Sequence, residues 1–74
     1  MSLIAAAREL ALLYACTPND RAREHLNRFC IELEANLLPA VGADIAARIA
    51  DAFAQAVMAE KARIESGVAG AVVQ

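Results

Sequence analysis

Seventy-four residues suffice for one domain, and a domain this small buries only about 60% of the surface its unfolded chain exposes. The chain is 59% hydrophobic but has just Tyr14, Phe29 and Phe53 as aromatics, so much of its apolar content is alanine, which buries little per residue. A formal net charge of −2 and a pI near 5.2 argue against duplex nucleic acid, whose binding rests on neutralising phosphates, and are too slight for an acidic mimic of it.

Ser2 to Cys16 is the most apolar run, broken only by Arg8-Glu9. Alanine and leucine dominate it and neither Gly nor Pro occurs, which predicts a helix with Ser2 as its cap. The run falls short of the 20 or so apolar residues of a membrane span. Leu13-Tyr14-Ala15-Cys16 resembles the end of a lipoprotein signal, but Glu9 stands close upstream and no basic start precedes it. Leu3, Ala6, Leu10, Leu13 and Tyr14 can face a neighbouring helix, which leaves Ile4, Ala11, Leu12 and Ala15 on other sides. A helix apolar nearly all round is enclosed from several directions, and three helices of one chain do not easily enclose it.

Thr17-Pro18-Asn19-Asp20 reads as the start of the second helix, with Thr17 as the cap, Pro18 in the first helical position and Asp20 at the positive end of the dipole. Pro39 predicts its end at Leu38, with Gly42 following. Ala22, Leu26, Phe29, Cys30, Leu33 and Leu37 form its apolar stripe, and Glu24, Arg28 and Glu32 form a polar ladder. Ile31 and Leu38 lie nearly opposite the stripe. This helix, over about Thr17 to Pro39, is the expected centre of the fold.

After a turn at Pro39-Ala40-Val41-Gly42, Ala43 to Ser66 reads as the third helix. Ile45, Ile49, Ala52, Phe53, Ala56, Val57 and Ile64 trace its broad apolar side. Asp44–Arg48 and Lys61–Glu65 are expected as supporting pairs one turn apart. Alanines 46, 50 and 54, and 52 and 56, repeat every four residues, a spacing that lets helix axes approach closely. Met58 lies off the stripe. Gly67 suits a C-cap, and the apolar residues after it read as a tail.

No catalytic or metal motif emerges. Cys16 and Cys30 are the sole cysteines, with no CxxC, and fit free, buried thiols in a reducing compartment. His25 is the one histidine, so a zinc site within one chain would lack ligands. His25 and Cys30 stand five residues apart and point about 140° away from each other on a helix, which defeats a direct nucleophile–base pair.

The sequence therefore implies an all-α fold of three helices at about 2–16, 18–38 and 43–66. It forms a single helical domain over 1–66 with an apolar tail over 67–74, completed as a small bundle by homodimerisation. The predicted core is Leu10, Leu13, Leu26, Phe29, Leu33, Leu37, Ile45, Ile49 and Phe53. The predicted interaction residues are Ile4, Leu12, Ile31, Leu38 and Met58. The expected function is that of a small cytoplasmic protein-binding regulator or inhibitor, of the kind made by bacteria and their phages. It would act on a larger protein by contact, without catalysis, cofactor or metal. The alternatives are a structural or chaperone-like subunit of a larger assembly, and a small DNA-binding regulator, which the charge disfavours.

Overall fold

The computed structural model of the chain describes residues 2–73, with side chains described for residues 2–67. Three helices follow in order: α1 (Leu3–Leu13), α2 (Asn19–Val41) and α3 (Ala43–Val73). Among the described residues there is no strand. The expected tail is helical through Val73, and Gln74 lies outside the described residues.

The shared element is α3, not the second helix as the sequence suggested. The backbones of α1 and α2 each pack closely on α3 and make no comparable approach to each other. Length explains this. At about 1.5 Å per residue, the 31 residues of α3 nearly match the 49 Å long axis of the molecule. α2, at 23 residues, spans only about 35 Å. α2 runs antiparallel to α3, since Asn19 reaches Lys61 and Cys30 reaches Ala50. α1 runs parallel to α3: Leu3 and Ile4 lie beside Ile49 and Ala52, while the Cys16 backbone reaches Glu65. The 11-residue α1 leaves much of the α2–α3 hairpin uncovered, and the radius of gyration is 13.7 Å, against about 11 Å for a compact chain of this length.

The core is Ala7, Tyr14, Ala22, Leu26, Phe53 and Val57, with Leu10, Phe29, Cys30, Leu33 and Met58 packed against it. Phe29 stacks on Phe53 with ring centroids 5.4 Å apart. Leu37 and Ile49 are half-buried. Two expected core residues are not core: Leu13 is 69% exposed and Ile45 is 50% exposed. The reason is rotation. α1 faces inward through Ala7, Ala11 and Tyr14, and α3 through Ala46, Ala50, Phe53, Val57 and Lys61. Alanines at the closest approach let the axes come near, and this turns Leu13 and Ile45 outward. Ala52 and Ala56, also expected inward, are exposed. Met58, expected at an interaction surface, instead packs on the core.

The helix ends differ in detail. Thr17 makes no cap bond; its N–H donates to the Tyr14 carbonyl at 2.8 Å, and Pro18 takes the N-cap position. Ser2 holds the N-cap of α1 without a side-chain bond. α2 passes through Pro39 to Val41. The bond that Pro39 cannot give is lost at Ala35, which is exposed, so solvent can serve that carbonyl. Gly42 is the true terminator. Its N–H bonds the Leu38 carbonyl at 3.0 Å, and its φ of +84° is one that side-chain-bearing residues rarely adopt. Gly67 has no positive φ and does not stop α3; a glycine inside a helix costs only about 1 kcal/mol.

Candidate functional site

α1 is built inside out. Ala7 and Ala11 face α3, while Ile4, Leu12 and Leu13 are 70%, 63% and 69% exposed. Its exposed large residues form two ridges on either side of the buried face. Ile4, Arg8 and Leu12, four apart, run along the flank towards α3, and Leu13 stands on the other flank. Between the first ridge and α3 lies an open groove of about 460 Å³. Leu3, Ile4 and Ala7 form one wall, Ile49, Ala52 and Ala56 the other, and Phe53 also lines it. Arg8 and Glu60 are its charged residues. Arg63 binds the Glu60 carboxylate and holds it below the usual carboxylate range, with a smaller contribution from Arg8.

A second groove of about 490 Å³ separates α2 from α3 and is more polar, with Arg23, Asn27, Glu34, Asp51 and Gln55 around Leu26, Cys30 and Met58. The Cys30 thiol donates to the Ala50 carbonyl at 3.6 Å. Burial pushes its pKa up, and Asp51 and Glu34 add to the shift, so the thiolate is disfavoured. Cys16, expected buried, is exposed in the turn after α1 with φ of +68°. His25 pairs with neither cysteine: its Nδ1 bonds the Tyr14 hydroxyl, and the two rings meet edge to face. Burial raises the Tyr14 pKa, with a smaller contribution from Cys30. Among the described residues, neither cysteine has the histidine as a base beside it. Among the described residues, no three His, Cys, Asp or Glu side chains gather as metal ligands would, and no helix is long and apolar enough to cross a membrane.

The sequence missed a polar cluster at one end of the bundle. Lys61, expected as half of a supporting pair with Glu65, makes that pair but is 2% exposed. Its ammonium donates to Asn19 Oδ1 and to Glu65 Oε2, both at 2.8 Å, and Glu65 also accepts the Cys16 N–H at 2.9 Å. One lysine thus joins α3 to the start of α2, and through Glu65 to the turn after α1. The spacing of Phe53, Val57 and Lys61 was the available signal, but a lysine is almost never fully buried unless paired. The Glu24–Arg28 and Asp44–Arg48 pairs occur at 3.9 Å between exposed side chains and contribute little.

The predicted interaction residues do not form one patch. Ile4 and Leu12 share the α1 ridge. Ile31, 62% exposed, and Leu38 lie on the side of α2 turned away from its buried face. Leu38 joins Val41 and Ile45 in an exposed apolar tip around Gly42, where Val41 was expected only as a turn residue and Ile45 as core. Comparison with family models, with curated proteins and with solved structures found no match to this chain.

Proposed function

We propose that this protein is a small regulator or inhibitor that holds a larger protein by direct contact, without chemistry of its own, and that it works as a homodimer. The observation that supports this most is the inverted packing of α1. Burying a leucine or isoleucine side chain contributes roughly 1.5–3 kcal/mol. α1 forgoes most of that at Ile4, Leu12 and Leu13 and meets its own chain through Ala7, Ala11 and Tyr14, with Leu10 beside them. Eleven residues are too few for a stable isolated helix. A helix so held and so exposed is suited to be covered by another protein surface. Its two free thiols suit a reducing cytoplasm.

The test is site-specific photocrosslinking in cells. A photoreactive phenylalanine analogue at Leu13 should yield a crosslink to one larger protein. The same analogue at Arg48, on the exposed side of α3, should not. Equal products at both positions, or self-crosslinks alone at Leu13, would overturn the reading. A Leu13→Glu protein that keeps its helical spectrum but loses partner binding would support it.

A further inference from the structure

The groove between α1 and α3 has a definable occupant. We propose that it is the self-association face, with a second copy packed on it about a two-fold axis running along the helices, so that α1 of each copy lies over α3 of the other. This rests on the reading above for the statement that the chain dimerises, and assigns where it does so.

Three observations carry it. The first is area. A compact monomer of 7.8 kDa exposes about 4,400 Å², whereas this chain exposes 5366 Å². The surplus of about 1,000 Å², taken over the whole chain, is enough for the roughly 800 Å² that each partner buries in a stable complex. The second is charge. Arg8 and Glu60 are the groove's charged residues, one of each sign on opposite walls. A two-fold axis along the helices exchanges the walls, bringing the partner's Glu60 over Arg8 and the partner's Arg8 over Glu60. A face with this balance does not repel its own copy. The third is shape. The same axis sets Ile4 of α1 against the small side chains at Ala52 and Ala56 of the other copy's α3, filling a groove that is open in one chain. The α2–α3 groove is a poorer candidate, because closing it would take five polar side chains out of water.

The experiment is sedimentation velocity across a dilution series, with far-ultraviolet circular dichroism on every variant. The wild-type chain should be a dimer. Ala56 is exposed, so A56E meets solvent in the monomer and should keep its helix content while losing the dimer. R8E and E60R should each weaken dimerisation about tenfold, since two contacts per dimer change from attraction to repulsion. An equimolar mixture of R8E and E60R should regain the dimer, because only the mixed dimer restores opposite charges across the axis. A dimer that survives A56E, or a mixture that does not regain it, would overturn the proposed face. If L13E rather than A56E abolishes the dimer, the chain self-associates elsewhere and only this inference fails. A wild-type monomer at every concentration would refute both the face and the homodimer, leaving crosslinking from Leu13 to decide the larger partner.

Discussion

Replacing Lys61 in two ways separates what its stem contributes from what its charge contributes. Lys61→Ala removes three buried methylenes, at about 0.8 kcal/mol each, and deletes the donor to Asn19 and Glu65. Asn19 is exposed and Glu65 partly so, and both can be rehydrated, so the lost bonds add only about 1 kcal/mol. The expected cost is about 3–4 kcal/mol. Lys61→Met keeps most of the stem and no longer has to desolvate an ammonium. Replacing a buried ion by a hydrophobic group of similar volume is often neutral, and the expected cost is about 0–1 kcal/mol. In a domain of this size, 1 kcal/mol shifts Tm by about 4–8 °C. Thermal and urea unfolding followed by circular dichroism, at one fixed protein concentration, should therefore place Lys61→Met within about 8 °C of wild type and Lys61→Ala at least about 12 °C below it. If both variants lose equally, the polar cluster and not the stem is what matters. If neither loses more than about 0.5 kcal/mol, the site is an ordinary surface position and Lys61 is not buried in solution.

Gly42→Ala should cost about 1–3 kcal/mol from backbone strain alone, because nothing lies within 4 Å of the added Cβ; D-alanine there should restore wild-type stability, and an L-alanine protein of unchanged midpoint would show that the turn relaxes. Glu65 titrates below the usual carboxylate range, held there first by Lys61 and then by the Cys16 N–H. The unfolded chain therefore takes up the proton first, and the stability from this contact is full above about pH 5 and lost as pH falls through the lowered value. Glu65→Gln should flatten that acid loss in urea titrations between pH 6 and pH 3, and an unchanged slope would refute the link. Ile31→Asp should leave helix content and dimer mass intact while weakening capture of the larger partner; unfolding would place Ile31 in the core.

Composition and periodicity made the three helices legible, because alanine, leucine and the capping residues act locally. They placed Leu26, Phe29, Leu33 and Phe53 correctly on inward faces. The ends of α2 and α3 were harder to read. Pro39 and Gly67 disfavour helix by amounts that favourable neighbours can outweigh, whereas Gly42, with its positive φ, stops one outright. The central role of α3 was not legible at all, since it depends on which helix is long enough to receive two others. Nor was the face of α1. Ala7, Ala11 and Tyr14 repeat at the same helical spacings, four and three, as Ala6, Leu10 and Leu13, and a hydrophobicity argument prefers the leucines. Lys61 fell outside the reading because its burial depends on partners 42 residues away and one turn on, at Asn19 and Glu65.

The two readings of α1 differ by a rotation about its own axis, and alanine contacts are too smooth to choose between them. Directional bonds do choose. The Tyr14 hydroxyl reaches His25 on α2, and the Cys16 N–H reaches Glu65 on α3. Together they hold the end of α1 from two sides, and a turn of about 100° would break both. Within one chain, burying Leu13 in place of Ala7 or Ala11 would gain apolar area, yet it would force α1 away from α3 and forfeit the close packing at Ala46 and Ala50. The observed arrangement spends two hydrogen bonds to keep the larger side chains outside. That choice makes sense where the apolar area is recovered in contact with another protein. For this reason, the orientation of α1 carries more information about function than any single exposed residue on it.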